Sequence, residues 1–164
     1  MNVELILKTL NCHQVDCLLI GGMNFLLNHS GPHTYDVDFF VRDSAPNLSQ
    51  LNSALQELTC EWGPNETSWR PVPENPDWLL KQNVFCLTSP HGAIDIFRAV
   101  KGLEDGFDAC LARAAKRSMP DGEAYLGLSD YDMLRCQEAL PETAQKTARM
   151  AALRLAIENK GEQP

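Results

Sequence analysis

Three aspartates are spaced so that their carboxylates could act together. Asp36 and Asp38 lie two positions apart in a strand-like stretch, so both leave the same face, about 6–7 Å apart along the strand. Asp95 lies in a later strand-like stretch whose Ile94 and Ile96 point the opposite way, toward a core. Converging carboxylates repel one another and raise their own pKa values. A divalent cation resolves that conflict, and oxygen ligands suit magnesium.

The Gly21-Gly22 pair is a second candidate element of the same site. It follows the apolar run 17–20, which predicts a buried strand, and precedes a helix predicted over 23–29. Glycine lets the backbone approach phosphate groups closely, and the start of a helix offers free N–H groups. Alone, the pair would indicate only a turn. Beside three acids, it predicts a site for magnesium ions and a triphosphate, in the two-metal arrangement.

The elements that must position these residues follow from hydrophobic periodicity. An amphipathic helix opens the chain, and a leucine-rich helix follows Asp43 and Ser44. Strands are predicted at 17–20, 35–41, 83–88 and 93–97, the last two forming a hairpin. The segment 60–80 carries four prolines and three tryptophans and is predicted to be irregular, with one strand near 67–70. The alternation of strands and helices predicts an α/β (α+β) fold.

The C-terminal part is predicted to be helical. One helix is expected over 104–117, a second after Ser129, and a last one beginning at Pro141. We therefore expect a core at 1–100 and a helical region at 101–164 that pack into one compact domain.

Composition indicates an acidic globular chain. The 164 residues are 44 % hydrophobic and 22 % charged, and the net charge is −8. This charge disfavours non-specific binding to nucleic acid or to anionic membranes. No apolar run could span a bilayer, and the first ten residues lack the order of a signal peptide, so a cytoplasmic location is expected.

The six cysteines form no CxxC pair and are interpreted as reduced, buried apolar residues. A zinc site at Cys12, His13 and Cys17 is the alternative, although the spacing fits no standard pattern.

The stretch LLIGGMNFLLNHSGPHTYDVDFFV resembles the signature of the nucleotidyltransferase superfamily: a Gly-Gly turn, a gap, Asp-x-Asp, and a third acid on a later strand, here in AIDIF. Residues 34–38 match the Thr-x-Asp-x-Asp form of small bacterial members related to the toxins of toxin–antitoxin pairs. The C-terminal stretch from LSDYDML onward is also similar to their helical tails. The resemblance implies a mixed sheet flanked by helices, and a partner resembling an antitoxin.

The resemblance also implies an activity and roles for residues. Asp36, Asp38 and Asp95 would be catalytic and would bind two magnesium ions, and Asp95 would help to deprotonate the acceptor. Gly21 and Gly22 would hold the triphosphate, with Thr34 of the motif beside them. A nucleoside monophosphate would pass to a hydroxyl or phosphate of a tRNA, a protein or a small molecule.

The basic residues match the resemblance less completely than the acids do. Arg42, Arg98 and Lys101 follow the acid-bearing strands and are candidates to face phosphate, with Arg42 assigned to the nucleotide site. Small bacterial members often carry an Arg at the position of Pro32, a Lys at that of Gln137, and a Lys-Asp pair where Lys146 and Thr147 stand. The alternative is therefore a module that binds nucleotide or a partner protein without turnover. A metal-dependent phosphohydrolase is a third possibility.

Two further groups are left open. The histidines at 29, 33 and 91 are interpreted as helix-end or loop residues, with contact to phosphate as the alternative. The tryptophans at 62, 69 and 78 are interpreted as cover for the core, with stacking on a base as the alternative.

Overall fold

A computed structural model describes residues 1–29 and 31–160 of the chain. Within these residues a six-stranded mixed sheet is flanked by α-helices. The helices are α1 (Val3–Cys12), α2 (Gly21–Asn28), α3 (Ala45–Glu57), α4 (Gly106–Arg113), α5 (Asp130–Glu138) and α6 (Thr147–Lys160). The strands are β1 (Cys17–Ile20), β2 (Asp36–Val41), β3 (Glu61–Trp62), β4 (Arg70–Pro71), β5 (Val84–Leu87), β6 (Ala93–Phe97), β7 (Ala115–Ser118) and β8 (Ala124–Gly127).

The main sheet has the order β5-β6-β2-β1-β8-β7, and β3 pairs with β4 in a separate two-stranded sheet. Neighbours joined by short turns, β5–β6 and β7–β8, are antiparallel, as is the pair β1–β2. The pairs β2–β6 and β1–β8 are parallel, which requires long crossover connections. The crossover from β2 to β6 contains α3 and the segment 60–80.

The sheet has two buried faces with separate cores. On one face, Val37 and Phe39 of β2 pack with leucines of α1 and α3. On the other, Phe40 packs with Phe107 of α4 and with residues of α2, α5 and α6. Because side chains alternate along a strand, Asp36 and Asp38 fall on the same face as Phe40. The acids therefore share the face covered by α2, α4, α5 and α6.

The segment 60–80 covers the edge of the first core. Trp78 is buried, its ring lies against Trp62 and Phe85, and its Nε1–H donates to Asn52 Oδ1 at 2.7 Å. Trp78 therefore packs in the core and offers no exposed surface for stacking on a base. The strand predicted near 67–70 begins only at Arg70, because residues 66–68 form a 3₁₀ turn.

The prediction of one helix over 104–117 is wrong beyond Arg113. Ala114 takes an extended backbone conformation, with ψ 144°, and the chain continues as the hairpin β7–β8 at the edge of the sheet. The turn of that hairpin contains Pro120-Asp121-Gly122, a turn signal that was readable in the sequence. The C-terminal part is therefore not only helical, since β8 pairs directly with β1.

The last helix also begins later than predicted. Pro141 precedes a 3₁₀ turn over 142–144, and Gln145 is extended, with ψ 135°. The Gln145 side chain donates to the Leu140 carbonyl at 2.9 Å, and the Lys146 N–H donates to Gln137 Oε1 at 3.1 Å. These bonds hold the connection in a non-helical form, so α6 starts at Thr147.

The cysteines are all free, but Cys12 and Cys86 are exposed, so the interpretation as buried residues is wrong for these two. Burial raises the pKa of Cys17 and Cys60 to about 12. Within residues 1–29 and 31–160, Cys12, His13 and Cys17 do not converge into a metal-ligand group. His13 instead contacts Glu57, with Nε2 at 2.7 Å from Oε2. None of the described helices is long and apolar enough to cross a membrane. The cytoplasmic location stays a prediction.

Candidate active site

The structure brings the three aspartates together on one face of the sheet. The parallel register of β2 and β6 places Asp38 directly opposite Asp95, with Asp36 two residues earlier on β2. One carboxylate oxygen of each residue lies within 4.8 Å of those of the other two. All three side chains are half-buried. Three acids from two neighbouring strands thus converge at one point.

The electrostatic cost of this arrangement falls mainly on Asp38. Burial raises the pKa of Asp38 to about 7, with further contributions from the charges of Asp36 and Asp95. Burial also raises the pKa of Asp95, while a hydrogen bond from the Cys86 thiol acts against the rise. A cation between these groups would relieve the repulsion among the three carboxylates.

The glycine turn lies directly against Asp38. Gly21 has φ +66°, and a Cβ at this position would overlap Asp38 Oδ2. The Gly22 N–H donates to the same oxygen at 3.4 Å. The residue before the helix, Ile20, provides no side-chain cap, so Asp38 is the side chain that accepts from the start of α2. Residue 21 must therefore be glycine for two reasons. Its backbone is left-handed, and the Asp38 carboxylate lies where a Cβ would be.

Thr34 joins the acids to the glycine turn. Its hydroxyl donates to Asp36 Oδ1 at 2.5 Å. A Cβ at Gly22 would lie 2.8 Å from the same hydroxyl oxygen, so Thr34 also packs against the start of α2. Gly21, Gly22 and Thr34, all predicted to bind nucleotide, thus border the acid cluster.

Two of the three cations predicted to face phosphate are held by other partners. Arg42 lies four residues beyond Asp38 along the chain and forms ion pairs with Asp16 and Asp108. Arg98 pairs with Asp43 at 2.8 Å and also donates to backbone carbonyls. Their guanidinium groups already have partners away from the acid cluster, so the structure does not bring Arg42 to the site predicted for it.

Sequence reasoning missed a cation that does lie near the acids. Arg149 of α6 is half-buried, and its charge acts on both Asp38 and Asp36. It also lines a small cavity of about 80 Å³ together with Gly21 and Gln137. No local pattern marks this residue, because its place depends on how α6 packs over the sheet.

The histidine and tryptophan alternatives find little support in the contacts. His29 contacts Asp130, with Nε2 at 2.8 Å from Oδ1, so it joins the end of α2 to the start of α5. His33 is exposed. Trp62 and Trp78 pack against each other with ring centroids 5.2 Å apart, on the core beneath 60–80.

Comparison with known proteins identifies solved structures that are similar to this chain. No family model matches the sequence, and no curated protein matches it. The solution structure of the antibiotic-resistance factor ANT(2″)-Ia is similar, with a TM-score of 0.56 and 12 % identity, over 96 % of this chain and 81 % of that one. The crystal structure of ANT(2″)-Ia in complex with adenylyl-2″-tobramycin gives the same TM-score and identity, over 96 % of this chain and 86 % of that one.

At this level of identity, the likeness concerns the fold. It does not bear on a toxin–antitoxin relationship, which stays a prediction. The mixed sheet flanked by helices that the resemblance implied is confirmed, with six strands in the sheet, and the chain has a nucleotidyltransferase-like fold.

Proposed function

We propose that this protein is a magnesium-dependent nucleotidyltransferase that moves a nucleoside monophosphate from a nucleoside triphosphate to an acceptor. The observation that carries the proposal is the convergence of Asp36, Asp38 and Asp95 within 4.8 Å, directly against the turn at Gly21. The fold likeness to ANT(2″)-Ia, whose crystal structure holds an adenylylated molecule, supports the same class of reaction.

The residues present fit magnesium. The donor set is three carboxylates, the hard oxygen ligands that magnesium prefers. The pKa of Asp38 is raised first by burial and then by the charges of Asp36 and Asp95, and a cation bound between the acids would oppose this rise. Asp36, Asp38 and Asp95 would hold the metal, with two ions expected. When bound, magnesium supplies positive charge that polarises the phosphates and favours deprotonation of an acceptor hydroxyl.

The protein's own residues then have distinct tasks. The N–H groups at the start of α2 would bind the β- and γ-phosphates, because the positive end of the helix dipole favours anions. The Gly22 N–H is bonded to Asp38 Oδ2 at 3.4 Å, so it would bind phosphate by exchanging that acceptor. The missing Cβ at Gly21 lets the Asp38 carboxylate lie directly against the turn, so that the acids and the start of α2 border the same space. Thr34 holds the Asp36 carboxylate in place through its hydroxyl. The nucleotide would thus bind between the glycine turn and the acids.

The transfer step follows from this placement. The acceptor oxygen forms a bond to the α-phosphorus, and the bond from that phosphorus to the oxygen bridging the β-phosphate breaks. Pyrophosphate leaves with the bonding electron pair, and the proton of the acceptor hydroxyl passes to Asp95. The pKa of Asp95 is raised by burial, which makes this carboxylate a better base than an exposed one.

Charge bears on the acceptor. A net charge of −8 disfavours a large RNA footprint, so a small-molecule or protein hydroxyl is preferred over a tRNA end. The adenylylated tobramycin in the ANT(2″)-Ia crystal structure is a precedent for a small-molecule acceptor on this fold.

One observation favours a second candidate, a module that binds nucleotide without turnover. Gln137 stands where small bacterial members often carry a lysine, and its Oε1 accepts from the Lys146 backbone N–H at 3.1 Å. That side chain is neutral and has a structural partner. If the missing charge is essential, nucleotide would bind but would not react.

Labelled nucleotides test the proposal. Each of the four ribonucleoside triphosphates, labelled with ³²P at the α- or the γ-phosphate, is incubated with the protein, magnesium and cell extract. We expect the α-label to pass to the acceptor and the γ-label to leave in pyrophosphate. Transfer of the γ-label would indicate a phosphotransferase, and binding without any transfer would indicate the module.

The controls are two single-charge substitutions. Asp38→Asn should abolish transfer, whereas Glu158→Gln, an exposed site on α6, should leave it unchanged. Transfer that persists in Asp38→Asn at the wild-type rate would contradict the proposed site.

A further inference from the structure

Arg149 is held in an unusual environment for an arginine. It is half-buried on α6, and its guanidinium carbon lies 4.9 Å from the centre of the Phe25 ring. Among the described residues no carboxylate oxygen lies within 4.0 Å of it, although Asp38 and Asp36 act on it at longer range. Most other arginines of the chain do form ion pairs, namely Arg42, Arg98, Arg113, Arg135 and Arg154.

Burial of a cation without a paired anion has a free-energy cost. The Phe25 ring offsets part of that cost through a cation–π contact and also positions the guanidinium group. Since the ring face uses none of the N–H donors, these remain available to a ligand. Arg149 also lines the cavity that it shares with Gly21.

We propose that Arg149 binds the phosphate chain of the nucleoside triphosphate, on the side of the acid cluster covered by α6. This inference rests on the proposed function. Once magnesium neutralises Asp36 and Asp38, the anion that remains for Arg149 is the triphosphate. A planar guanidinium group can donate two parallel hydrogen bonds to a phosphate. Arg149 would thus supply the positive charge that Pro32 and Gln137 do not.

The competing explanation is that Arg149 only balances the charge of the acids in the folded protein. Both explanations predict that Arg149 weakens the binding of magnesium alone, and they differ in its effect on magnesium polyphosphate. A phosphate-binding arginine repels magnesium alone but attracts magnesium polyphosphate. An arginine that only balances the acids would change the affinity for magnesium and the affinity for magnesium polyphosphate by the same factor.

Titration calorimetry with magnesium and with magnesium tripolyphosphate separates these explanations, and tripolyphosphate avoids any dependence on the base. Arg149→Met keeps an unbranched stem over Phe25 but removes the charge. We expect it to bind magnesium tripolyphosphate at least about 10-fold more weakly than wild type. Its affinity for magnesium alone should be equal or higher.

Two further variants complete the test. Arg149→Lys keeps the charge without the planar group and should bind magnesium tripolyphosphate with intermediate affinity. Arg154→Met removes an exposed arginine of the same helix, paired with Glu138, and should stay within about twofold of wild type. Thermal melting without ligand shows whether each variant folds, and the lysine variant decides the test if Arg149→Met does not fold.

Equal affinity of wild type and Arg149→Met for magnesium tripolyphosphate would overturn this inference and leave the proposed function intact. A wild-type protein that binds neither magnesium tripolyphosphate nor any of the four magnesium nucleotides would overturn both.

Discussion

At the scale of single residues, the free-energy cost of the site is concentrated at Asp38. This carboxylate receives the Gly22 N–H, lies against Gly21 and is opposite Asp95 in the register of the sheet. A group with so raised a pKa is costly to keep charged in the absence of a cation. Such perturbed acids cluster at functional sites, which is the physical reason to look for chemistry here.

The pH dependence of stability without metal follows from this pKa. An unfolded aspartate has a pKa near 3.9, and the folded value is about 7. Between these values the folded state binds the extra proton, so stability contributed by this group falls as pH rises from about 4 to about 7 and then levels off. In EDTA at pH 8, Asp38→Asn should therefore raise the free energy of unfolding by about 2–4 kcal/mol, measured by urea unfolding.

The same substitution should have little effect at pH 4, because the folded and unfolded carboxyls are then both largely protonated. Asp36→Asn should act in the same direction but by less, since it removes only one of the charges near Asp38. Glu158→Gln, on the exposed surface of α6, should leave the pH profile unchanged. A lower stability of Asp38→Asn at pH 8 would show that the acids are not crowded.

Gly21→Ala tests the glycine turn. A left-handed backbone costs a residue with a Cβ about 1–2 kcal/mol, and here the Cβ would also displace the Asp38 carboxylate. We expect a loss of about 1–3 kcal/mol in unfolding free energy and at least about a 10-fold loss in magnesium–nucleotide affinity.

Gly122→Ala is the matched control for backbone strain. Gly122 also has a positive φ, +95°, but a Cβ there would meet nothing within 4 Å. It should lose stability without losing nucleotide affinity. Equal loss of affinity in the two variants would mean that Gly21 is needed only for the fold.

At the scale of elements, the segment 60–80 is a structural cover for the edge of the sheet. Trp78 packs between Trp62 and Phe85, and Asn52 of α3 accepts its Nε1–H. The Asn52 amide in turn donates to the Pro73 and Glu74 carbonyls at 3.1 and 2.9 Å. This network fastens an otherwise irregular segment to α3.

Trp78→Phe should lower stability and leave catalysis unchanged. Phenylalanine keeps most of the packing but leaves the buried Asn52 oxygen without its donor, which costs about 1–3 kcal/mol. Urea unfolding and the α-label transfer assay measure the two effects. Trp69→Phe, whose ring is half-buried, serves as the control and should cost less. A selective loss of nucleotide affinity in either variant would instead support stacking of that tryptophan on the base.

At the scale of the whole molecule, the site is assembled from distant parts of the chain. The glycine turn comes from the start of α2, the acids from β2 and β6, and the nearby cation from α6. A ligand bound at their junction should stabilise all of these elements together, because it binds only the folded state.

Magnesium with a nucleoside triphosphate should therefore raise the melting temperature. At a ligand concentration of 100 Kd the stabilisation is about 2.7 kcal/mol, which corresponds to about 5–10 °C for a domain of this size. Differential scanning fluorimetry checks this, with magnesium alone and nucleotide in EDTA as controls. An unchanged melting temperature in wild type, or an equal rise in Asp38→Asn, would contradict binding at the acid cluster.

The sequence by itself determined the local arrangement of the site. The period of two along a strand puts Asp36 and Asp38 on one face, and the same alternation sets Asp95 opposite in direction to Ile94 and Ile96. The short apolar run before Gly21 predicted a buried strand leading into a turn. These inferences were possible because each depends on residues close together in the chain.

Only the tertiary structure decided which distant parts meet. The register that pairs Asp38 with Asp95 depends on β6 lying parallel to β2 after a long crossover. Residues 115–117 of β7 were predicted as helix, but the pairing of β7 with β8, and of β8 with β1, outweighs local propensity. The ion pairs that hold Arg42 elsewhere, and the packing that brings Arg149 near the acids, are contacts between residues far apart in sequence, and local periodicity carries no information about them.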